Sequence, residues 1–184
     1  GKTASIQSTG TLVLDAAKDI TNTGSSMAAG GDASLKAGGN VTFDTIQDKS
    51  VDTTHSTFKQ GGATGMTTTT TTTVTQVKSG LSSGGNLSID AGKDITLAGT
   101  NTRAAGNADL KAGGDLNMLA RENTTDIHSE SKASGFGMNG SLYGSTTVTT
   151  DSTSVRNVGS TLQVGGNASL AAKNDITVQG SNVD

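Results

Sequence analysis

The chain has 184 residues, of which 31% are apolar, 2% aromatic and 16% charged, with a net charge of −3 and no Cys, Pro or Trp. That length allows one domain or two small ones, and the missing Cys removes disulfides, thiolate catalysis and Cys-based metal sites. The weak acidic charge, with almost no aromatic residues, argues against nucleic acid as a partner. Leu, Ile, Val and Phe fall just under the roughly one-fifth usual for folded chains, but disorder also needs a high net charge, so a thin core of small side chains is the reading. No run approaches the ~20 apolar residues of a membrane-spanning helix. Gly1–Gly10 lacks the basic start and apolar middle of a signal peptide, as expected of a mature or excised segment. A Pro-free chain of this length fits continuous hydrogen bonding in sheets.

In chain order, residues 11–43 carry two copies of a short unit, Val13-Leu-Asp-Ala-Ala-Lys-Asp-Ile-Thr21 and Ser34-Leu-Lys-Ala-Gly-Gly-Asn-Val-Thr42. Leu14 and Leu35 are 21 residues apart (35 − 14). Ala33, Leu35 and Ala37 alternate with polar neighbours, Gly-Gly breaks the strand, and Val41 and Phe43 start another; the period of two is that of strands, not helices. A third side begins four residues after each buried Ile, at Gly24–Met27, Gly99–Thr102 and Gly180–Val183. Asn22 breaks the apolar pattern and reads as a mark of a frayed first coil. Residues 44–84 form a polar spacer: Thr53–Lys59, a Gly-rich middle from Gln60 to Gly65, then Thr67–Thr73 and Val74–Val77. Strand, Gly-rich turn, strand predicts a β-hairpin, and β-branched Thr favours it.

Residues 85–118 bring two more units, Ser88-Ile-Asp-Ala-Gly-Lys-Asp-Ile-Thr96 and Asp109-Leu-Lys-Ala-Gly-Gly-Asp-Leu-Asn117, again 21 apart (110 − 89). A second spacer, 119–164, has the layout of the first: Asp126–Lys132, a Gly-rich Ser134–Gly140, and Thr146–Val155. The last unit, Ser169-Leu-Ala-Ala-Lys-Asn-Asp-Ile-Thr177, lies in 165–184. A longer repeat is superimposed, since Asp19 to Asp94 is 75 and Asp94 to Asp175 is 81. A coil of this kind cannot bury its inward side chains alone and must stack on neighbours. The predicted fold class is therefore all-β: a right-handed parallel β-helix, three short strands per coil of ~21 residues, with two long Thr/Gly-rich β-hairpin insertions. It reads as one segment, 1–184, of a longer chain; a β-sandwich of short strands would not require a fixed step.

Few residues suggest chemistry. His55 and His128 occupy matching places beside Asp52 and Asp126, but one His per spacer is too few ligands for a metal, and exposed strand positions explain them. The Asp or Asn at 19, 40, 94, 115 and 175 lacks the Gly-Gly-x-Gly-x-Asp spacing of calcium-binding solenoids and reads as a corner residue accepting local backbone hydrogen bonds. Lys18, Lys36, Lys93, Lys111 and Lys173 read as a solvated face. Thr67–Thr73 resembles the Thr rows of ice-binding faces, but neighbouring coils lack such rows. No catalytic, cofactor or metal residues are assigned, and no cofactor is expected. The candidate contact surface is Thr67, Thr69, Thr71, Thr73, Phe136, Met138 and Tyr143.

Gly85-Gly-Asn-Leu-Ser-Ile-Asp-Ala-Gly-Lys-Asp-Ile-Thr-Leu-Ala-Gly-Thr100 and its copies resemble the haemagglutinin repeats of filamentous-haemagglutinin-type exoproteins, exported by two-partner secretion. The resemblance covers nearly the whole chain, Ser/Thr/Gly-rich spacers included, and brings no catalytic residues. It implies a non-catalytic segment of a secreted or cell-surface bacterial filament. The specific role it points to is stalk or delivery region of a contact-dependent growth inhibition (CdiA-like) effector or large exoprotein. An adhesin whose hairpins bind host-cell or matrix surfaces is the alternative, and a β-helical carbohydrate-active enzyme a distant one. The implied partners are an outer-membrane transporter during export and the surface or outer membrane of a target cell, with self-association through coil ends and no nucleic acid.

Overall fold

The computed structural model describes residues 4–184; residues 1–3, which open the expected segment, lie outside the described residues. The first coil comprises β1 (Ser5–Ser8), β2 (Leu12–Ala16) and β3 (Ile20–Thr23), and the second β4 (Ser26–Ala29), β5 (Ala33–Ala37) and β6 (Val41–Asp44). The chain then leaves the coils through two long strands, β7 (Ile46–Gln60) and β8 (Ala63–Val77). A third coil, β9 (Gly80–Ser83), β10 (Leu87–Ala91) and β11 (Ile95–Ala98), and a fourth, β12 (Asn101–Ala104), β13 (Ala108–Ala112) and β14 (Leu116–Leu119), follow. A second excursion, β15 (Arg121–Phe136) and β16 (Tyr143–Val158), precedes β17 (Thr161–Val164), β18 (Ala168–Ala172), β19 (Ile176–Gln179) and β20 (Asn182–Val183). Within the stretches read as spacers, Gly80–Ser83 and Thr161–Val164 are thus strands of a coil sheet.

Equivalent strands of successive coils pair in parallel and form three sheets, β1-β4-β9-β12-β17-β20, β2-β5-β10-β13-β18 and β3-β6-β11-β14-β19. The fold is a parallel β-helix with antiparallel hairpin insertions. The 21-residue step sets the register: Leu14, Leu35, Ile89, Leu110 and Leu170 stand in one column, and Ala16, Ala37, Ala91, Ala112 and Ala172 in the next. Alternating a wide and a narrow column lets a thin interior close-pack; Leu35, Ile89, Leu110, Leu116 and Leu162 are at most 1% exposed. Asn22 shares the column of Phe43, Leu97, Met118 and Val178. It is not frayed, as its sequence suggests, but 3% exposed, and its amide donates to Ser25 O at 3.1 Å. Thr102 lies in an apolar column between Leu81 and Leu162, its hydroxyl buried without a hydrogen-bond partner among the described residues.

The corners correct the local hydrogen-bond reading. Their Asx side chains accept from the next coil, not from their own. Asp19 Oδ1 accepts from the Asn40 N–H at 2.6 Å, Asn40 Oδ1 from Asp94, Asp94 Oδ1 from Asp115 at 2.8 Å, and Asp115 Oδ1 from Asp175. A second ladder joins Asp32 to Asn86, Asn86 to Asn107 and Asn107 to Asn167 at 2.7, 2.9 and 2.8 Å. Glycine before the donor residue makes room for the incoming oxygen: a Cβ on Gly114 would collide with Asp94 Oδ1. Where Lys93 or Asn174 replaces that glycine, the bond lengthens to 3.2 or 3.1 Å. The outward side of the second sheet carries alternating charge, with Asp15, Lys36, Asp90 and Lys111 in register on adjacent strands, not lysines alone.

The chain divides into two compact units. One comprises the chain up to Asp48, Gln76–Glu122 and Asn157–Asp184, and holds the coils; the other comprises Lys49–Thr75 and Asn123–Arg156, the bodies of the insertions.

Candidate contact surface

Both insertions are hairpins, and they are joined into one four-stranded sheet in the order β16-β15-β8-β7. The turn of the first is Gly61-Gly62, with φ of 58° and 84°, the left-handed pair that suits the twist of a two-residue hairpin loop. The second closes through a 3-10 turn at Met138–Gly140. β8 and β15 pair antiparallel from Thr124 opposite Val74 to Gly135 opposite Ala63. The Thr-rich strand is therefore a central strand.

Alternation divides the sheet into two unlike faces. One carries Thr67, Thr69, Thr71 and Thr73, half-buried among hydroxyls: Thr67 Oγ1 donates to Ser131 Oγ at 3.0 Å, and Thr69 Oγ1 lies 3.2 Å from Ser129 Oγ. The register set by the Thr53–Thr70 and His55–Thr68 pairs puts Thr54 and Ser56 beside them on β7. The neighbours of the threonine row are not coils but β7 and β15, which set Thr54, Ser56, Ser129 and Ser131 beside it.

The other face carries both histidines, on exposed strand positions. His55 Nδ1 lies 3.0 Å from the Thr68 hydroxyl. His128 Nδ1 meets Asp151 Oδ1 at 2.5 Å across β15 and β16, while its sequence neighbour Asp126 accepts from Thr153. Lys132 pairs with Glu130 on the same face. No group of three or more His, Asp or Glu side chains converges among the described residues.

Phe136 and Tyr143 meet at the end of the second hairpin, ring centroids 5.5 Å apart at 85°, an edge-to-face pair. By alternation from Ser131 they belong to the face opposite the Thr67 row, so the sheet does not bring the two halves of the predicted surface together. Met138 is half-buried in the turn between them, and the Tyr143 hydroxyl lies 3.3 Å from Ser134 Oγ. Leu142, which sequence reasoning missed, is 86% exposed beside Phe136 at 69% and Tyr143 at 61%. Its only signal is an apolar residue in a turn.

A second group missed from sequence lies where the insertions leave the coils. Arg121 Nε donates to Asp44 Oδ1 at 2.8 Å and its Nη2 to Oδ2, a bidentate pair between residues 77 apart in sequence. Burial opposes ionisation of Asp44, but the Arg121 hydrogen bond, the Thr45 N–H and the guanidinium charge outweigh it and hold the carboxyl below its usual range. Thr45 Oγ1 donates to Gln76 Oε1 at 2.6 Å, and Gln76 Nε2 donates to Glu122 O at 2.9 Å. One small cluster thus ties all the insertion stems except that of β16.

A hemagglutinin repeat model matches residues 2–62 and 60–184. The chain belongs to the hemagglutinin repeat family. Members of this family are structural, adhesive segments of secreted or cell-surface exoproteins of the two-partner type, and they are not typically catalytic. Among the described residues no helix is long and apolar enough to cross a membrane. No curated protein and no solved structure matches the chain.

Proposed function

We propose that this hemagglutinin repeat segment is the stalk or delivery region of a contact-dependent growth inhibition effector or large exoprotein. Its coils act as spacer and its insertion sheet as the surface that meets a target cell. The observation that carries this reading is the exposed Phe136–Leu142–Tyr143 group: a chain with three Phe and one Tyr places two of these four aromatics together in water at one hairpin end. An exposed apolar group rimmed by polar residues is the mark of an interaction site. In this reading the partners are an outer-membrane transporter during export and the outer membrane of a neighbouring bacterium, with no nucleic acid. Self-association through the coil ends is the remaining partner we propose.

The second reading, an adhesin for host-cell or matrix surfaces, is favoured by the adhesive character of the family. Replacing Phe136, Leu142 and Tyr143 by Ser tests both. Adsorption to bacterial target cells should fall at least about tenfold, a loss of about 1.4 kcal/mol, with the thermal midpoint unchanged. Loss confined to host cells or matrix selects the adhesin, and unchanged adsorption to all of them overturns both readings.

A further inference from the structure

The insertion sheet is built by a rule that leaves each of its edges without a neighbouring strand among the described residues. The returning strand of the first insertion, β8, pairs with the outgoing strand of the second, β15. Outgoing strands follow β6 and β14, equivalent positions 75 residues apart (116 − 41) that both pair with β11. Returning strands lead into β9 and β17, equivalent positions 81 apart (161 − 80) that both pair with β12. By these equivalences β7 corresponds to β15, and β16 to β8. β7 and β16 are the two edges of the sheet. An edge strand presents a row of unpaired N–H and C=O groups, which proteins normally guard with charge, Pro or a bulge. Tyr143–Thr150 of β16 has neither charge nor Pro.

We propose that the β16 edge receives β7 of a second copy of this chain, in the register that β8 and β15 already use. Adding 81 to Val74 gives Val155, and subtracting 75 from Thr124 gives Lys49, so Val155 faces Lys49 of the second copy. This register then sets Arg156 against Asp48, Asp151 against Thr53, Thr150 against Thr54 and Thr147 against Thr57. The facing charges are opposite, and no like charges meet. Asp48 and Arg156 are both exposed, with no ion partner among the described residues. The Thr150–Thr54 pair repeats the hydroxyl contact of Thr69 with Ser129. The joint is head-to-tail, so each added copy would lengthen the sheet by four strands and leave a fresh β16 edge. It does not depend on which cell surface the aromatic group meets.

Analytical ultracentrifugation of the whole chain up to about 1 mM, the weak end of measurable association, tests the proposal. Concentration-dependent association is expected. Arg156→Asp or Asp48→Arg alone should weaken it about tenfold, by placing like charges opposite one another, and the two changes combined should restore it. Circular dichroism of each variant should be unaltered, since both side chains are solvent-exposed. A chain that stays monomeric throughout overturns the proposal, and so does association that ignores the charge reversals. Association lost with Ile176→Lys but not with Arg156→Asp would assign it to the open coil end at β19 instead.

Discussion

The coils and the insertion sheet are made from the same Gly-, Ser- and Thr-rich alphabet, yet different forces hold them. In the coils, side chains repeat in columns, and the buried apolar residues of the protein lie there. In the second unit, Gly135 alone is buried among the described residues. Its strands rest on backbone ladders and cross-strand pairs worth about 0.2–1 kcal/mol each. The lesson is that long β-strands can form without a core when they are joined into one sheet, but such strands belong to the low-stability end of a molecule. Hydrogen exchange should therefore rank β10, β11, β13 and β14 as slowest and the edges β7 and β16 as fastest.

The largest expected effect breaks the coil side of that contrast. Leu110 is 0% exposed, so Leu110→Asp leaves an unpaired charge in a dry interior and should cost about 4 kcal/mol or more. Asp109→Leu, one residue away and outward, should stay within about 0.5 kcal/mol. Equal losses in urea unfolding would mean that the inward–outward alternation is misassigned.

Next, Thr70→Pro removes a donor from β8, a central strand that cannot spare one on either side. It should destabilise the insertion sheet by about 1–3 kcal/mol, the cost of a ladder group left unpaired, read as lost exchange protection in β7, β8, β15 and β16, with coil protection retained. Simultaneous loss in the coils would show that the two regions unfold as one.

The corner ladder gives a smaller effect. Asp94→Ala removes the acceptor of the Asp115 N–H and should cost about 1–2 kcal/mol. Gly114→Ala attacks the same bond from the donor side, so the two changes should be strongly non-additive. Chelators should leave the thermal midpoint of the unaltered protein in place; a large drop with EDTA would give these carboxylates a metal instead.

The smallest effect concerns acid. Asp44 has a folded pKa lowered below its unfolded value, so the stability it lends is present above about pH 4 and is lost as pH falls through the folded value. The pair is partly solvated, with side chains 36% and 28% exposed, which limits the effect to about 1 kcal/mol. Asp44→Asn should flatten that part of the stability–pH curve; an unchanged slope would assign it to other carboxylates.

The coils were legible because their period is local. Leu14 predicts Leu35 and Leu110 by counting, and alternation tells which way each points. The hairpins were legible as turns and strands, from Gly61-Gly62 and the Thr run. What could not be read was who pairs with whom across long separations: Thr69 with Ser129, Arg121 with Asp44, Gln76 with Glu122. No period links those residues, and antiparallel register is fixed by the turns and stems rather than by any pattern within β8 or β15. The Asx ladders fall between these cases: the corner residues were visible, but local bonding and bonding to the next coil need the same residue types.

Each ladder oxygen belongs to the earlier coil and each N–H to the later one, all the way from Asp19 to Asp175. The stack therefore has a chemical arrow. A corner laid down on a finished coil finds an acceptor already immobilised, in a slot kept clear by a glycine such as Gly114. A corner added from the other side would have to bring a side chain still sampling its rotamers to a fixed N–H, with the entropy of that search still to be lost. Growth from the N-terminal end is thus the easier direction, and the ladder acts as a ratchet that lets each turn be locked before the next has arrived.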